Sequence, residues 1–586
     1  MKNEKQRETM TFQDQIELLY RSAVITKIGE IAYIKPYEIT PNGVFRCKYT
    51  TDANGQETVS ERLPVCSKPI LPTSIYDNKD EAVQKVEVSM WEKRRSRWIR
   101  TIVNRSVLTN KNKIVQLADN GFPIGSDNAG YVAKYFLSVL SEHDEKLPRT
   151  ASRSVMGWAE AEKDGTTETV FMPYTDALAF DGDDTYRSLF TCISERGDRD
   201  AWVRTMKDLR LEPVQSKTVN VPIRLMLAAS FASPMLELIG ENPFVLHLFA
   251  PTGQGKTVAL MVAASVWGDP AQGKMIRSLN MTMNSMLSTA AFLNNMPFFG
   301  DELQTLKSRW LKSYDQIVMQ LTEGVDRGRM QNAQLLKSKS WRNAFVFTGE
   351  DPIIKDSSGG GVVNRVVQIE SESKIVSNGN KIANFVKRNY GLVAKEWTDY
   401  LRSEQETIGD MYNMTFSVLM DNCGTTDKQA GAMALLWIAD TLASDLFWNG
   451  EPKLQLEDLK PFLASVKQVD IAERAWDFVV NAIAECGENF NDGARQRWGK
   501  VDGSIVWINK TVLNRIMSDA GYDFDAVKKR WMAKDRIIAD KDGRYAHYKS
   551  IGNVTGRYVQ LIVPSEDETS RTEQTELTDY HGYLPF

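Results

Sequence analysis

Residues 244–257 read Phe-Val-Leu-His-Leu-Phe-Ala-Pro-Thr-Gly-Gln-Gly-Lys-Thr. The first six are almost entirely apolar, which is typical of a strand buried on both faces of a parallel sheet. The loop that follows contains Gly253 and Gly255, and the apolar stretch 258–267 after it predicts a helix. A buried strand, a glycine-rich loop and a helix in this order indicate an α/β domain whose loop surrounds a phosphate group.

Each group that binds a nucleoside triphosphate has a candidate in this loop. Backbone N–H groups of a glycine turn and a helix N-terminus surround phosphates, a lysine reaches the terminal phosphates, and a hydroxyl binds Mg²⁺. The loop departs from the pattern G-x-x-x-x-G-K-S/T only at Ala250. We therefore predict ATP and Mg²⁺ as cofactors. The predicted nucleotide-binding residues are Thr252, Gly253, Gln254, Gly255, Lys256 and Thr257, of which Thr257 also binds the metal.

Two adjacent carboxylates, Asp301 and Glu302, follow a short apolar segment and Gly300, which stands where an aliphatic residue is usual. This is a Walker B arrangement, in which the aspartate holds Mg²⁺ and the glutamate polarises the attacking water. On its own, the segment also fits a strand followed by a solvated turn. Its position behind a phosphate-binding loop favours the catalytic interpretation.

Two more polar residues lie at the ends of apolar segments. Thr348 ends the segment 343–347 and is predicted to lie near the γ-phosphate. Arg365 follows the flexible Gly359-Gly-Gly361 loop and precedes the segment 366–369. An arginine so presented can reach the γ-phosphate bound by a neighbouring subunit; the alternative is an arginine that caps the sheet edge. The predicted catalytic residues are Lys256, Glu302, Thr348 and Arg365.

Two basic segments are candidates for contact with DNA. The first predicts a hairpin with a basic tip, although a solvated turn fits it too; its candidate residues are Arg327, Arg329, Lys337 and Lys339. The second, residues 93–100, interleaves basic residues with Trp98, which suits phosphate contact and base stacking on single-stranded DNA. A solvated helix face with Trp91 and Trp98 turned into the core explains the second segment equally well.

The C-terminal region predicts a winged helix. Helices are expected at 509–520 and 524–534, and strands at 536–548 and 556–563 around a turn at 540–543. Lys528, Lys529 and Arg530 lie on the second helix, where they would enter a groove or contact backbone phosphates. Winged helices also mediate protein contacts, so both interpretations stay open.

The composition excludes several classes of protein. A chain of 586 residues exceeds what one core serves, so several domains are expected. The net charge of −4 means that any DNA-binding surface is a local concentration of basic residues. The 5 cysteines lie far apart, which argues against a zinc site or a disulfide scaffold and fits a reducing cytosol. No apolar stretch is both long enough and free enough of charge to predict a membrane span.

Further motifs resemble one particular family. The segments Ala263-Ala-Ser-Val-Trp-Gly268 and Thr348-Gly349-Glu350 are more specific to it than any phosphate-binding loop. The other matching motifs are Gly157-Trp158, Phe171-Met-Pro173, Lys256-Thr257, Gly300-Asp-Glu302, Gly324-Val-Asp-Arg327-Gly, Trp341-Arg342 and Arg365. Together they resemble a bacterial and phage family of formerly unassigned function whose C-terminal half is helicase-like. Its members include the MCM-like helicases of staphylococcal cassette chromosomes.

The resemblance covers about residues 31–563 and implies an AAA+ ATPase that assembles as a hexameric ring and translocates on DNA. It matches Lys256 and Thr257 to the nucleotide-binding loop, Asp301 and Glu302 to the Walker B pair, Thr348 to sensor 1 and Arg365 to the trans-acting arginine. Sensor 2 has no secure match. Arg474 is considered for it, but a solvated arginine on a helix face is the favoured interpretation.

The expected fold class is α/β, an AAA+ P-loop ATPase core with flanking domains. In chain order we expect an extension 1–30, an α+β DNA-binding collar 31–215, the ATPase core 216–400, a helical lid or bundle 401–495, a winged helix 496–563 and a disordered acidic tail 564–586. Within the collar, 31–37, 44–49 and 169–172 read as strands, and 81–97 and 128–143 as helices. The tail would recruit replication proteins, although an inert end is the favoured interpretation.

The predicted function is an ATP-dependent replicative DNA helicase or translocase of a mobile element or phage. Its expected partners are single-stranded or forked DNA and further copies of itself, in the cytoplasm and without a membrane. Two alternatives stay open, because fold and ATPase site do not determine what the motor acts on. One is DNA loading, packaging or remodelling without unwinding; the other is an origin-binding initiator controlled by ATP.

Replacement of the loop lysine tests the predicted phosphate contact. We expect Lys256→Ala to abolish nucleotide binding, because the variant loses the cation that reaches the terminal phosphates. Fluorescence titration with a labelled ATP analogue measures this directly. Undiminished affinity would remove the loop from the proposed site.

Overall fold

The structure, a computed structural model, describes residues 26–28, 31–306 and 314–563, apart from residues 93, 96, 144, 146, 164, 183, 215–216, 328–329, 332–333, 336–337, 452 and 553. Most of the expected extension 1–30 and the whole expected tail 564–586 lie outside these residues. The chain divides into two compact units, Met1–Thr191 and Cys192–Phe586. The mixed α/β architecture is as predicted.

The first unit contains two five-stranded sheets, in the orders β1-β2-β3-β4-β5 and β12-β9-β6-β7-β8, and a β10-β11 hairpin. Its strands are β1 (Thr26–Ile28), β2 (Ile31–Ile34), β3 (Tyr37–Thr40), β4 (Gly43–Thr51), β5 (Glu57–Cys66), β6 (Ile70–Asn78), β7 (Val83–Glu92), β8 (Arg97–Asn104), β9 (Arg149–Arg153), β10 (Gly157–Lys163), β11 (Thr166–Met172) and β12 (Ala179–Phe180). Its helices are α1 (Arg105–Leu108), α2 (Ala129–His143) and α3 (Asp184–Phe190), with a 3₁₀ turn at Ile114–Asn120.

The helix predicted at 128–143 is confirmed as α2. It buries residues at the i, i+3, i+4 spacing of an amphipathic helix, namely Val132, Tyr135, Phe136, Val139 and Leu140. The Tyr135 hydroxyl donates a 2.8 Å hydrogen bond to the carbonyl oxygen of Ile70 on β6. This contact fixes α2 against the edge of the first unit's core.

The helix predicted at 81–97 is wrong, because these residues form β7 and the start of β8. Val86, Val88 and Met90 are fully buried at every second position, which is the period of a strand. The segment 93–100 therefore belongs to the β7-β8 hairpin. The alternative, in which this segment is a solvated helix face, is wrong. Trp91 and Trp98 face each other across the two strands, with ring centroids 5.5 Å apart.

The second unit centres on a five-stranded parallel sheet in the order β14-β15-β18-β13-β19. The strands of the whole second unit are β13 (Phe244–Phe249), β14 (Ile276–Ser278), β15 (Phe298–Asp301), β16 (Met330–Gln331), β17 (Gln334–Leu335), β18 (Ala344–Gly349), β19 (Val366–Glu370), β20 (Gly499–Asp502), β21 (Ile505–Asn509), β22 (Ala546–Ile551) and β23 (Val554–Ile562). The strand predicted at the start of the glycine loop is confirmed as β13, and every one of its residues is buried.

Helices make up much of the rest of the second unit, between residues 199 and 533. They are α4 (Arg199–Leu211), α5 (Val221–Ala232), α6 (Met235–Ile239), α7 (Lys256–Ala264), α8 (Met283–Leu293), α9 (Asp315–Thr322), α10 (Gly360–Val363), α11 (Gly379–Val386), α12 (Ala394–Ser403), α13 (Gln405–Cys423), α14 (Asp427–Trp448), α15 (Leu456–Leu459), α16 (Val466–Val469), α17 (Ile471–Glu485), α18 (Lys510–Asp519) and α19 (Phe524–Ala533). Short 3₁₀ turns lie at Leu303–Leu306, Lys460–Phe462 and Gly487–Phe490.

The break between the units precedes the boundary expected at residue 215, because α4 packs with the second unit. The indole nitrogen of Trp202 donates a 3.0 Å hydrogen bond to the Ser265 hydroxyl next to α7. Among the described residues, α14 is the one helix long and apolar enough to cross a membrane, and 89% of its apolar window is buried inside the protein. All the cysteines are free, as expected.

The C-terminal helices and the β20-β21-β23-β22 sheet share one core. The two predicted helices are confirmed as α18 and α19, and the turn predicted at 540–543 is present, since the Gly543 N–H donates to the Asp540 carbonyl oxygen at 2.9 Å. The strand predicted at 536–548 instead runs from Ala546 to Ile551, and its hairpin with β23 turns at Gly552. α17 belongs to the same core, since Trp476 packs edge-on against Trp531 at 5.1 Å. This domain therefore starts before the boundary expected at 496.

Four fully buried charges join α4, α5 and α14. Arg210 lies 2.7 Å from Asp440 and 2.5 Å from Glu451, and Arg224 lies 3.1 Å from Asp440. The Arg210 guanidinium also lies 4.0 Å from the centre of the Trp448 ring. Burial alone would raise the pKa of Asp440, but the two guanidinium groups hold it below its ordinary value.

Removal of one charge from this cluster should destabilise the fold. Asp440→Asn leaves two buried guanidinium groups with one carboxylate, so we expect the free energy of unfolding to fall by about 3–5 kcal/mol. Urea denaturation followed by tryptophan fluorescence measures it. Lys395→Ala, which breaks the exposed pair of Lys395 and Asp399 at 2.5 Å, is the control and should cost less than about 1 kcal/mol. Equal effects would show that burial does not decide the outcome.

Candidate nucleotide-binding site

The parallel sheet brings the predicted ATP-site residues to one edge. β13 ends at the glycine loop, β15 ends at Asp301, and β18 ends just after Thr348. Carboxyl ends of parallel strands lie at the same edge, where open α/β sheets bind ligands. The loop, Asp301, Glu302 and Thr348 therefore converge although they are far apart in sequence.

The loop has the backbone conformation that phosphate binding requires. Gly253 and Gly255 have φ of +87° and +96°, in the left-handed region that residues with side chains rarely adopt. Gly255 is the N-cap of α7, so the free N–H groups of the helix N-terminus open toward the cleft. Lys256 folds back over the loop, and its Nζ donates to the carbonyl oxygens of Ala250 at 2.6 Å and Pro251 at 3.0 Å.

Asp301 is the centre of the hydrogen-bond network at this edge. It is 5% exposed, and its carboxylate accepts hydrogen bonds from the hydroxyls of Thr348 at 2.5 Å and Thr257 at 3.3 Å. The side-chain amide of Gln272 donates to the same carboxylate at 2.6 Å. The two predicted metal ligands, Thr257 and Asp301, are thus in contact.

This donor set fits Mg²⁺. The ion takes oxygen ligands and is commonly held by one or two carboxylates together with substrate phosphates. A carboxylate and a hydroxyl lie side by side here, next to the phosphate-binding loop. The described residues contain no cluster of three or more His, Cys, Asp or Glu side chains that could hold a metal without a nucleotide.

Glu302 has an unusual backbone conformation. Its φ is +61°, which for a residue with a side chain is sparsely populated and is often found at functional sites. The residue is exposed and lines the same cleft as Lys256, Thr257 and Asp301. Its carboxylate is therefore free to approach a water molecule beside the phosphates.

Packing explains why position 300 holds a glycine where an aliphatic residue is usual. A Cβ atom at this position would lie 2.6 Å from Leu279 Cδ2 and 2.8 Å from Phe347 Cδ1. These distances are shorter than van der Waals contact, so a larger side chain here would displace the side chains of Leu279 and Phe347. Phe347 and Leu279 fill the space instead.

The cleft has a volume of about 510 Å³ and includes residues that sequence reasoning missed. These are Gln304, Glu350, Lys374, Val376, Ser377 and Asn378, besides Gly379 and Asn380 at the start of α11. The backbone N–H of Ile375 donates to the Gln254 carbonyl at 2.9 Å, which joins this segment to the loop. Asn378 directly precedes α11, at a position that favours Asn, but only the fold shows which cleft this segment faces.

Arg365 lies at the opposite edge of the sheet. It precedes β19, whose Val366 pairs with Val245 at the start of β13. The length of β13, six residues or roughly 20 Å, therefore separates it from the glycine loop. The structure does not bring Arg365 together with Lys256 of the same chain.

Arg365 shares a second, smaller cleft with Lys428, at the N-terminus of α14. The cleft measures about 210 Å³ and is also lined by Glu241, Glu323 and Asn364. Arg365 Nη1 donates to the Gly361 carbonyl at 2.7 Å and lies 3.3 Å from Met319 Sδ. Burial and the charge of Arg365 lower the pKa of Lys428. Within the described residues, neither cation forms an ion pair.

The predicted DNA-binding residues divide into three groups. Arg327 and Lys339 are exposed and flank the β16-β17 hairpin, whereas Arg329 and Lys337 lie outside the described residues. On α19, Lys528 pairs with Asp525 and Arg530 lies 2.9 Å from Asp470. Lys529 is exposed. Two of the three cations on the second helix are thus already paired within the domain.

Arg474 lies away from the nucleotide cleft. It is half-buried, and its guanidinium contacts the segment 355–358, N-terminal to the Gly359-Gly-Gly361 loop. Arg474 is therefore not a solvated arginine on a helix face. Nor does it lie beside the glycine loop 250–257 of the same chain.

The fold defines a mixed α/β protein with a C-terminal helix-turn-helix domain, and residues 470–566 match the family model of the Cch helix turn helix domain. The chain belongs to the family described as Domain of unknown function (DUF927), whose model matches residues 37–341. This supports the family resemblance drawn from the motifs.

The chain is also similar to a solved structure described as "SCCmec type IV Cch - active helicase". The two share 17% sequence identity and superpose with a TM-score of 0.63 over 91% of this chain and 98% of the other. At this identity, the likeness shows a shared fold. No curated protein sequence matches the chain.

The contact between Thr348 and Asp301 can be tested without a change of shape. Thr348→Val keeps the volume but removes the hydroxyl that orients the carboxylate. We expect ATP turnover, or its apparent Mg²⁺ affinity, to fall about 10–100-fold, as for residues that orient metal ligands. A Mg²⁺ titration of turnover measures both. Thr415→Val, at a fully buried threonine on α13, is the matched control; equal effects of the two variants would contradict a specific role.

Proposed function

We propose that this protein is an ATP- and Mg²⁺-dependent DNA helicase or translocase of the AAA+ class, which works as a hexameric ring in the replication of a mobile element or phage. The observation that carries the proposal is the contact network of Thr257, Asp301 and Thr348 beside the glycine loop. Three residues distant in sequence meet where a nucleotide triphosphate and its metal would lie. The site fits ATP hydrolysis better than simple binding because Glu302 lines the same cleft.

In the proposed mechanism, the loop N–H groups and Lys256 bind the β- and γ-phosphates. Thr257 and Asp301 would hold Mg²⁺, which would neutralise charge on the phosphates. Thr348 orients Asp301 through its hydroxyl, and Glu302 accepts a hydrogen bond from the attacking water and polarises it. Lys256 must leave the carbonyl oxygens of Ala250 and Pro251 to reach a phosphate.

Arg365 is proposed to complete the site of a neighbouring subunit. Its place at the amino edge of the sheet puts its own glycine loop out of reach. Its guanidinium and Lys428 are two cations in one cleft with no ion pair among the described residues, which suits an incoming phosphate. A ring of subunits that pairs the carboxyl edge of one sheet with the amino edge of the next would satisfy both observations.

DNA is the proposed partner, in a cytoplasmic setting. Support comes from the helix-turn-helix match at 470–566 and from the solved relative described as an active helicase. In the first unit, the β7-β8 hairpin carries the exposed Arg94, Arg95 and Arg97 near Trp98, which suits backbone phosphates and base stacking. We propose this unit as the DNA-binding collar, residues 192–400 as the ATPase core, 401–469 as the lid and the C-terminal domain from residue 470 onward as a winged helix.

A second candidate is an origin-binding initiator that uses ATP for assembly. The helix-turn-helix match favours it, because such domains commonly read duplex sequence. The internal pairing of Lys528 and Arg530 makes it the weaker candidate, since fewer cations on α19 are left for phosphates.

Strand displacement on a forked duplex separates these functions. We expect the protein with ATP and Mg²⁺ to separate the strands, and Glu302→Gln to bind ATP but lose turnover and displacement, because an amide polarises water poorly. ATP hydrolysis is followed in the same reactions. Hydrolysis without strand separation would favour a loader or an initiator, and normal turnover of Glu302→Gln would remove this residue from the mechanism.

A further inference from the structure

Arg474, on the first turn of α17, joins the C-terminal domain to the backbone of the loop between β18 and β19. Its Nη1 lies 3.3 Å from the Lys355 carbonyl oxygen and also donates to the backbone carbonyl oxygen of Asp356. Its Nη2 donates to the carbonyl oxygen of Ser358. One planar guanidinium thus binds three carbonyl oxygens of a single short loop. Hydrogen bonds from a charged group are stronger than neutral ones, so this loop is held firmly.

Tyr522 makes a second contact from the same domain. Its hydroxyl donates a 2.8 Å hydrogen bond to the Asp356 carbonyl oxygen. The preceding residue, Gly521, has a φ of +84°, and a Cβ atom there would lie 2.8 Å from Ser357 Cβ. The end of α18 therefore touches the loop closely enough to exclude a side chain at this position.

The loop bound by Arg474 leads directly to Arg365. Residues 355–365, which we call the arginine segment, contain this loop, the glycines 359–361 and α10. Within this segment, the Ser358 hydroxyl and the Gly359 N–H each donate a 3.0 Å hydrogen bond to the carboxylate of Asp315. The backbone N–H of Arg365 donates to the Val362 carbonyl oxygen at 2.9 Å, and its Nη1 donates to the Gly361 carbonyl oxygen at 2.7 Å.

The arginine segment is therefore held by two elements. Asp315 of α9 binds Ser358 and Gly359, and the C-terminal domain binds residues 355–358 through Arg474 and Tyr522. A glycine-rich segment has high backbone freedom when it is not held, so contacts that order it reduce the range of positions that Arg365 samples. Gly360 has the same tight packing, since a Cβ atom there would lie 2.4 Å from the Val469 carbonyl oxygen.

We infer that Arg474 and Tyr522 are positioning residues for Arg365, so the helix-turn-helix domain forms part of the ATPase machinery. The inference rests on the proposed function, in which Arg365 acts on the nucleotide of a neighbouring subunit. Arg474 touches no nucleotide; it acts through the arginine segment. Loss of Arg474 should therefore slow turnover in the neighbouring site and leave ATP binding in its own subunit intact.

Steady-state kinetics on three variants of the full chain test this. We expect Arg474→Ala to lower turnover at saturating ATP about tenfold, with half-saturation changed less than about twofold, because the lost contact serves the transition state. Arg474→Lys should lose nearly as much, since an ammonium group cannot bind three carbonyl oxygens in one plane. Tyr522→Phe, which removes one hydrogen bond, should lose about two- to tenfold. Arg515→Ala, an exposed arginine on α18, is the control.

Mixed subunits distinguish a positioning role from a general loss of structure. Lys256→Ala subunits keep an intact arginine segment, so mixing them with Arg474→Ala subunits should raise turnover above the sum of the two alone. Mixing Arg474→Ala with Arg365→Ala should not, because neither subunit then presents a positioned arginine. Recovery in the second mixture, or wild-type turnover of Arg474→Ala, would overturn the inference.

Failure of the proposed function has a different signature. If Arg365→Ala or Lys256→Ala keeps full turnover, the ATPase assignment fails whatever Arg474 does. If Arg365→Ala loses turnover and the Arg474 and Tyr522 variants do not, only the inference fails. Should Arg474→Ala not fold, as judged by its thermal melt, Arg474→Lys and Tyr522→Phe carry the same test.

Discussion

The parallel pairing of β13 with β18 and β19 is the constraint on which the rest of the second unit depends. Because these strands and β15, which pairs with β18, all run in one direction, the glycine loop, Asp301 and Thr348 meet at the carboxyl edge. The same pairing puts Arg365 at the amino edge. One geometric fact therefore assembles the residues of the proposed nucleotide site and leaves Arg365 at the other end of the strands. The proposed ring of subunits follows from this separation.

The buried charges of Arg210, Arg224, Asp440 and Glu451 form a second organising feature. They lie far apart in sequence, and their side chains are 0–1% exposed. In a medium of low dielectric constant, each guanidinium is tolerated only where a carboxylate meets it. The cluster therefore specifies how α4, α5 and α14 pack against one another. It also accounts for an aspartate in the middle of a helix as apolar as α14.

Prediction from the sequence succeeded where a structure depends on neighbouring residues. The strand, loop and helix around 250–257, the strand that ends at Asp301, and helices α2, α18 and α19 each follow from local spacing or periodicity. The roles of the loop and of the Asp301-Glu302 pair in nucleotide hydrolysis stay predictions. It failed at 81–97, because the charged residues around β7 obscured the alternation of Val86, Val88 and Met90. It also missed Gln272 and the segment 374–378, which reach the cleft only through the fold. Arg474 showed no signal of its contacts, because carbonyl oxygens of a distant loop leave no mark on the side chains around it.

The sequence by itself therefore determined the glycine loop between β13 and α7, the acidic pair at the end of β15, the two helices α18 and α19, and the family. Steric and hydrogen-bonding requirements of a turn or a helix face involve residues a few positions apart, so they appear in the order of the residues. Only the tertiary structure decided that Thr348 contacts Asp301, that Arg365 lies across the sheet from Lys256, and that Arg474 binds the arginine segment. These relations join residues tens to hundreds of positions apart, and they arise from strand order and burial, which no short stretch of sequence encodes.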